Sequence, residues 1–461
     1  MPPPETDNKY DERQIANLAL ENERYKSMRE RILEFSKKPF IRNVAVVASG
    51  TAAAQAIIFA FSPIITRLYG PEIFGVLGVF LAMTAIVTPI ASLTYAQAIV
   101  LPPNDNDAKG LFFISLVTAG FLGILLTIIL LLFKNQIVNL FKIGAISSFI
   151  LLVPVVMFFS ACRQSLEQWL IRKKEFKDIS KVTVSQAFLI NGTKVGAGFF
   201  FPSAVTLVVL SALKDFLHAI QLAFVALKSQ VTKEGKSISR INRYSYFWKL
   251  ASQYRDFPLF RSPQVFLNSI SYSLPVLMFA SFFGPVAAGF YTLGHKVLTL
   301  PSTLISKSVG DVFFPRISEA ANKNENIKRL IIRATMGLIL AGIIPFAVVA
   351  IFGPALFSFV FGAEWMIAGE YARWLAVWLF FMFINKPSII AIPVLGIQGF
   401  FLVYEITVVF IRIVALLAGV LIFKNEIITL ALFSLVNALL YIFLILYVIF
   451  KSEKGMYREN K

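Results

Sequence analysis

The chain has 461 residues, of which 57% are hydrophobic, and it carries a formal net charge of +18. Soluble domains contain only ~45–50% apolar residues, so this composition excludes an ordinary soluble fold. The single cysteine, Cys162, excludes a disulfide framework and a cysteine metal site. The two histidines lie on separate apolar runs without a carboxylate cluster, so we expect neither a metal nor a cofactor.

Residues 1–43 precede the first apolar run and are predicted to form a cytoplasmic amphipathic segment. Ile15, Leu18, Tyr25 and Met28 recur at helical spacing among polar residues. The acidic side chains of this segment nearly cancel its cations, which argues against a polybasic membrane anchor. Two interpretations are open: a loosely attached interfacial helix, and a docking site for a partner protein.

From residue 44 to residue 450 the chain consists mainly of long apolar runs. Roughly 20 apolar residues cross ~30 Å of hydrocarbon as a helix, and lipid leaves helices and closed barrels as the only spanning structures. About twelve transmembrane helices are predicted, at residues 44–66, 73–101, 111–133, 143–171, 182–201, 203–227, 264–283, 286–306, 334–352, 371–395, 400–423 and 427–450. The expected fold class is therefore an all-α polytopic membrane protein.

The predicted spans fall into two groups of six. Residues 44–227 are expected to form an N-terminal six-helix bundle, and residues 263–450 a C-terminal one. A basic cytoplasmic linker, 228–262, joins the bundles, and a cytoplasmic tail, 451–461, ends the chain. Because six spans return each half to its starting side, the halves share one orientation and a pseudo-twofold axis along the membrane normal.

Basic residues are distributed asymmetrically across the predicted spans. Of the 44 lysines and arginines, 33 fall on one side, and the opposite side has only Arg67, Lys134, Lys142 and Lys424. The positive-inside rule then places both termini in the cytoplasm. The basicity is thus a topology signal, and we expect attraction to anionic membrane lipids but no nucleic-acid partner.

Seven cations lie within the predicted spans rather than between them. They are Arg163, Lys194, Lys214, Lys296, Arg373, Lys386 and Arg412. A charge at the bilayer centre costs ~3 kcal/mol on insertion scales, so such residues are normally kept for a function. Several of them in the same buried region favour a hydrated cavity for an anionic substrate.

These cations differ in the acids that lie near them in the sequence. Four have no obvious local acid and are expected to line the cavity: Arg163, Lys194, Lys296 and Lys386. Lys214 shares a helical face with His218 and has Asp215 beside it. For Lys214, neutralisation within the protein and ligand binding are both open.

Two further cations have an acid on their own predicted helix. Arg412 follows Glu405 by seven residues on about the same face, so a structural ion pair competes with substrate binding. Arg373 follows Glu370 near an outer helix end and is expected to extend toward the interface. The substrate-binding candidates are completed by Lys214, Arg412, His295 and Arg67. The candidate ion-coupling acids are Asp215, Asp311 and Glu405.

A short motif recurs in the two halves. Gly70-Pro71-Glu72-Ile73-Phe74-Gly75 follows the first predicted span, and Gly284-Pro285-Val286-Ala287-Ala288-Gly289 follows the seventh. Both occupy the same place in the topology, at an outer hairpin. In a second correspondence, Arg163 and Lys386 each lie ten residues before a cytoplasmic turn, ~15 Å deep at 1.5 Å per helical residue. The chain therefore reads as an internal repeat suited to alternating access.

Four segments of the sequence resemble a known family. They are Ile65-Thr66-Arg67-Leu68-Tyr69-Gly70-Pro71-Glu72-Ile73-Phe74-Gly75, Tyr95-Ala96-Gln97-Ala98-Ile99-Val100-Leu101-Pro102, Gln168-Trp169-Leu170-Ile171-Arg172-Lys173-Lys174-Glu175-Phe176 and Val312-Phe313-Phe314-Pro315-Arg316-Ile317-Ser318-Glu319. Together they are similar to the polysaccharide flippases, the Wzx-type O-antigen and capsule translocases of the multidrug/oligosaccharidyl-lipid/polysaccharide (MOP) exporter superfamily. The similarity runs from about residue 40 to residue 450.

The resemblance implies a transporter of the bacterial inner membrane rather than an enzyme. Its implied substrate is an undecaprenyl-diphosphate oligosaccharide, and its implied partners are membrane lipids, a polysaccharide polymerase and a chain-length regulator. A multidrug exporter of the same superfamily is an alternative, but it should favour buried acids for cationic drugs. A membrane-embedded polymerase or glycosyltransferase is another. Such an enzyme usually carries acids on a large outer loop, whereas residues 353–369 contain one acid, Glu364.

Overall fold

The computed structural model describes residues 39–140, 144–228, 243–323 and 325–454. All regular secondary structure in these ranges is helical, as the apolar runs predict. The amphipathic helix predicted within the first 38 residues, and residues 229–242 of the basic linker, lie outside the described ranges.

The described ranges contain fourteen α-helices, most of them long enough to be membrane spans. They are α1 Pro39–Val87, α2 Tyr95–Ala98, α3 Asp105–Leu140, α4 Leu152–Arg172, α5 Phe176–Phe200, α6 Ala204–Lys228, α7 Arg243–Gln253, α8 Ser262–Phe283, α9 Pro285–Asn322, α10 Ile327–Phe361, α11 Met366–Ile384, α12 Lys386–Val394, α13 Gln398–Ala418 and α14 Glu426–Lys454. Single 3₁₀ or π turns occur at Thr88–Ile90, Gly144–Ile146, Phe257–Arg261, Ala363–Trp365 and Gly419–Phe423.

Eight helical stretches among the described residues are long and apolar enough to cross a membrane. The first of them, Val46–Ile90, covers two predicted spans. The eight do not include α4, α5 and α9, in which polar residues, among them Arg163, Lys194 and Lys296, dilute the apolar sequence. A multi-pass helical membrane protein is thus confirmed, while the count of twelve spans stays a prediction.

Each half contains a sharp turn at the glycine of the repeated motif. Gly70 interrupts α1 with φ 64° and ψ 171°, and Gly284 separates α8 from α9 with φ 90° and ψ 174°. This backbone region is open essentially to glycine. Pro71 and Pro285 follow at the first turn of the next helical segment, where a missing N–H breaks no hydrogen bond.

The two repeated motifs pack against each other across the boundary between the halves. A methyl group on Gly75 would lie 1.7 Å from the carbonyl oxygen of Pro285, and one on Gly289 would lie 2.0 Å from the carbonyl oxygen of Pro71. The glycine that ends each motif therefore leaves room for the backbone at the proline of the other motif. Such a reciprocal contact is what a twofold relation between the halves requires.

The second predicted span differs from its helix at the C-terminal end. The prediction runs to residue 101, but α1 ends at Val87. Pro89 follows, and Leu93 and Thr94 adopt positive φ values of 46° and 59°. Non-glycine residues rarely adopt this conformation. A contact with the end of the linker accompanies it, because the Thr94 hydroxyl donates to the carbonyl of Phe257 at 3.0 Å.

The helix α7, from the end of the linker, packs on the N-terminal half. The Tyr246 hydroxyl donates to Asp107 Oδ1 at 2.6 Å, and the Tyr95 hydroxyl donates to the carbonyl of Ala251 at 3.2 Å. Leu250 is buried in the same cluster as Leu111. Since Tyr246 is partly buried beside Asp107, the pKa of its phenol is raised above the ordinary value. The linker is therefore attached to the bundle that precedes it.

Candidate substrate-binding site

Three lysines from three helices lie near enough to one another for their charges to interact. Lys194 on α5 lies within electrostatic range of Lys214 on α6 and of Lys296 on α9, and Lys296 lies within that of Lys214. None of them forms an ion pair with a described residue. Lys194 and Lys296 are half-buried and Lys214 is exposed, so an incoming group can reach them. We call these three residues the central lysine cluster.

The cluster joins the two halves, because α5 and α6 belong to the first and α9 to the second. Like charges that converge in a partly desolvated place repel one another more strongly than they do in water. A bound polyanion would relieve that repulsion. The arrangement is therefore suited to phosphate or another multiply charged anion, for which lysine acts as a point-charge partner.

The backbone around Lys194 is held by Tyr69, the residue that precedes the first repeated motif. The Tyr69 hydroxyl donates to the carbonyl of Lys194 at 2.8 Å. The Tyr69 ring lies against Gly198 so closely that a methyl group there would meet it at 2.9 Å. The residue just before the Gly70 turn thus also helps to position the backbone of α5 at Lys194.

Arg163 is paired with two acids, and the expectation that it lacks a nearby acid is wrong. Its Nε donates to Asp215 Oδ1 at 2.9 Å and its Nη1 donates to Glu167 Oε2 at 3.0 Å. Glu167 lies four residues further along α4, where helical side chains meet. Asp215 comes from α6, so this pair also fastens α4 to α6. Asp215 forms its ion pair with Arg163 and not with its own neighbour Lys214, although its charge still acts on that lysine.

Arg412 is buried among neutral groups, and the alternative of an ion pair with Glu405 is not formed. Its Nε donates to Asn437 Oδ1 at 2.6 Å, its Nη1 to Ser271 Oγ at 2.8 Å and its Nη2 to the Tyr441 hydroxyl at 3.1 Å. Only 5% of the residue is exposed. The guanidinium group therefore links α13 to α14 and α8 by hydrogen bonds. Because it is buried, it is not accessible to a large substrate.

Arg67 lies at the outer turns rather than in the central cluster. Its Nη2 donates to the carbonyls of Phe359 and Val360 at 3.1 and 3.3 Å. Beside it, Trp365 Nε1 donates to the carbonyl of Thr66 at 3.2 Å. These bonds join α1 to the segment around the α10–α11 turn, so Arg67 contributes to the contact between the halves.

The remaining candidates are dispersed. Arg373 pairs with Glu370 at 3.1 Å, and its interfacial position stays a prediction. Lys386 begins α12, half-buried and without an ion pair among the described residues. His295 stacks between Tyr291 and Trp378, with ring centroids at 5.7 and 5.8 Å. Glu405 is half-buried on α13, and the Asp311 side chain lies outside the described residues.

Some of these partners had a sequence signal and others had none. The spacing of Arg163 and Glu167 was a readable signal, since residues four apart share a helical face. The other partners are distant in the sequence and meet their arginine only through helix packing. They are Asp215 for Arg163, and Ser271, Asn437 and Tyr441 for Arg412. In the part of the chain that the structure describes, no group of three or more histidine, cysteine or acidic residues could hold a metal ion.

Comparisons with known proteins agree with this architecture. Residues 64–369 match the profile of a family described as polysaccharide biosynthesis protein. No curated protein matches the sequence.

Solved structures of transporters share the fold. An inward-facing multidrug resistance MATE family transporter of the MOP superfamily superposes with a TM-score of 0.67 at 14% identity, covering 88% of this chain and 96% of that one. The lipid II flippase MurJ in an inward closed conformation gives 0.64 at 14% identity, covering 90% and 89%. An outward-facing MATE transporter gives 0.53 at 14% identity, covering 91% and 96%. The predicted MOP-type fold is confirmed.

Proposed function

This chain belongs to the polysaccharide biosynthesis protein family, and we propose that it is a flippase for polyprenyl-diphosphate-linked oligosaccharide in the bacterial inner membrane. The observation that carries the proposal is the central lysine cluster, in which Lys194, Lys214 and Lys296 converge from both halves without an ion pair among the described residues. Its product would supply O-antigen, capsular or exopolysaccharide synthesis, where a polymerase and a chain-length regulator act.

The chemistry of the substrate explains why lysines are needed. Transfer of an unpaired charge into a low-dielectric medium costs tens of kcal/mol in the Born limit, so the diphosphate cannot cross lipid unaided. Three ammonium groups in a hydrated space would replace part of its water. Lysine offers a flexible point charge rather than a fixed fork of donors, which suits a ligand that must also leave.

Alternating access is the proposed mechanism, and the repeated motifs support it. The halves share an orientation in the predicted topology, and their outer turns touch at Gly75 and Gly289. Rocking would separate these turns while the cytoplasmic ends approach. Spin labels at the exposed positions Glu72 and Val286 should give two distances, whose balance shifts with substrate only through its different affinity for the two states. A single distance unaffected by substrate would argue for a static groove instead.

The proposed orientation has both termini in the cytoplasm. Cysteine labelling should find Lys177, Lys236 and Lys323 accessible from inside, and Gly70 and Glu364 from outside. Residues 70 and 236 on one side of the membrane would contradict the twelve-span topology.

Deletion of the gene in its host, followed by analysis of lipid-linked glycans, tests the function. We expect undecaprenyl-diphosphate oligosaccharide to accumulate on the cytoplasmic face. Unaltered glycans together with increased drug sensitivity would support the multidrug-exporter alternative instead.

Variants of the cations test the role of the cluster. Replacing Lys194, Lys214 and Lys296 together by alanine should reduce export more than tenfold, if each contact contributes about 1 kcal/mol to binding of the charged head. The protein should remain abundant, because unpaired lysines do not hold the fold. Arg373→Ala, at a cation already paired with Glu370, is the matched control. Normal export by the triple variant would remove the anion-binding proposal.

A further inference from the structure

An apolar pocket lies between the two halves. It has a volume of about 430 Å³ and is enclosed by α1, α9, α10 and α11. Its lining includes Ala56 and Phe59 of α1, Leu300 of α9, and Ala341 and Phe346 of α10. This volume is within the ordinary range for small-molecule sites, roughly 300–1,000 Å³.

The lining contains very little polar surface. Ser302 is one polar member, and its hydroxyl donates to the carbonyl of Leu298 within α9 at 2.9 Å. Gln55 is another, and its Oε1 is buried without a described hydrogen-bond partner. Apart from the Gln55 amide, the described lining offers no partner to a charged or sugar-like group, so the site favours a hydrocarbon ligand.

The pocket and the lysine cluster share a helix. Lys296 contributes its ammonium group to the cluster, and the residues that follow it, Val297, Leu298 and Leu300, form a wall of the pocket. Four residues of helix advance ~6 Å. The helix α1 borders both places, because it packs on α5, which carries Lys194, and on α9. A ligand with an anionic head and an apolar chain attached to it would therefore fit both at once.

We infer that this pocket binds the first isoprene units of the polyprenyl chain while the diphosphate lies on the central lysine cluster. The inference rests on the proposed function and specifies how the substrate is held. The mouth of the pocket bears exposed apolar side chains, Phe59 and Ile305, through which the rest of the chain passes into lipid. A pocket between the halves also changes shape when they rock, so the chain is gripped in one state and released in the other.

Shape has to provide the selectivity of this pocket. Membrane lipid is as apolar as the lining, so transfer of a chain from lipid into the pocket gains little from the hydrophobic effect. Close packing against a rigid wall discriminates instead, because a branched, unsaturated chain and a straight saturated one fill a cavity differently. A polyprenyl chain is therefore distinguished from the acyl chains of bulk phospholipid by its methyl branches.

Binding of short, soluble diphosphates to the full-length protein in detergent tests the inference. The probes are farnesyl diphosphate, dodecyl diphosphate of equal main-chain length, and inorganic diphosphate, measured by native mass spectrometry or titration. Farnesyl diphosphate should bind about tenfold more tightly than either of the others, the effect of one well-packed group. This comparison needs no variant and does not depend on how a mutant folds.

Two variants fill the pocket from opposite walls. Ala56→Trp and Ala341→Trp replace small, exposed residues. Each should weaken the binding of farnesyl diphosphate about tenfold while leaving the binding of inorganic diphosphate unchanged. The matched controls are Ala53→Trp on α1 and Ile344→Trp on α10, which are exposed and outside the lining. Neither control should change the affinity for any probe.

The outcomes separate this inference from the proposed function. Equal affinity for farnesyl and dodecyl diphosphate would show a pocket for bulk acyl chains and overturn the inference. The inference would also be overturned if both tryptophan variants bound farnesyl diphosphate as well as the original protein does. That conclusion requires that inorganic diphosphate still binds and that Lys296→Ala weakens its binding. If instead the protein bound no diphosphate at all, so that Lys296→Ala had no binding to weaken, the anion site would be overturned. The proposed function would be overturned with it.

Discussion

Arg163 in the N-terminal half and Arg412 in the C-terminal half are both cations within predicted spans, yet they are stabilised in different ways. Arg163 has two carboxylate partners, Asp215 and Glu167, and 23% of its side chain is exposed. Arg412 has three neutral hydrogen-bond partners and is almost fully buried. The first is neutralised by opposite charge, and the second is stabilised by dipoles and by the nearby rings of Tyr272 and Tyr441.

The comparison shows that a cation inside a span does not by itself indicate a ligand. Both arginines join helices of one half, whereas the central lysines come from different halves and form no ion pair with a described residue. A charge already satisfied within one bundle keeps that bundle rigid. A charge left unsatisfied at the boundary between bundles is available to a substrate, and this distinction can be tested.

The largest effect on stability is expected from Arg412→Ala. The variant removes the donors for Asn437, Ser271 and Tyr441 and leaves a cavity, at a cost of about 3 kcal/mol. Thermal unfolding in detergent should therefore begin at a clearly lower temperature. Arg412→Met should lose less, because it fills the volume and buries no charge. A variant with alanine at 412 that melts like the original protein would show that this network does not hold the half together.

A smaller effect is expected at the contact between the halves. Gly75→Ala and Gly289→Ala each place a methyl group against a backbone carbonyl of the other half. Each should disfavour the touching outer turns by about 1–3 kcal/mol, and the Glu72–Val286 distance should lengthen. Because the contact is reciprocal, the two shifts should be similar.

Glycines in open space provide the control for these two variants. A methyl group on Gly196 of α5 or Gly337 of α10 would meet nothing within 4 Å. Alanine there should leave the distance unchanged and stabilise the helix slightly, by up to about 1 kcal/mol. A shift at Gly75 without one at Gly289 would contradict the twofold relation between the motifs.

The pair of Arg163 and Asp215 should show a modest coupling. A double-mutant cycle with Arg163→Ala and Asp215→Asn should give about 1 kcal/mol, since the partly exposed pair is screened by solvent. Unfolding measured at two salt concentrations provides the check, because the coupling should fall as salt rises. A coupling near zero would remove Arg163 from the list of structural cations and return it to the candidate substrate ligands.

The smallest effect is expected at Arg373. Its ion pair with Glu370 is partly exposed, with 40% and 34% of the two side chains accessible. Arg373→Ala should change stability by less than about 1 kcal/mol and leave export unaltered. Export reduced as far as in the triple lysine variant would mean that this outer cation contacts the substrate.

Much of the fold followed from local properties of the chain. Length and apolarity of the runs determine that they are helices in a membrane, because lipid satisfies no backbone polar group. The glycine and proline of each repeated motif determine the turns at Gly70 and Gly284, since only glycine adopts that backbone conformation. The repeat itself could be read as a pattern displaced along the chain.

The candidate site depended on tertiary structure, because electrostatic partners are chosen by distance in space. Glu167, four residues after Arg163, is a local signal for one of its partners, but nothing local shows that Arg163 also pairs with Asp215 of α6 or that Lys194 lies near other lysines. Composition and periodicity determined that cations would lie in the interior of a two-part helical membrane protein. Only the packing of α5, α6 and α9 decided which of them form no ion pair with a described residue, since Coulomb energy depends on separations that helices far apart in the sequence set together.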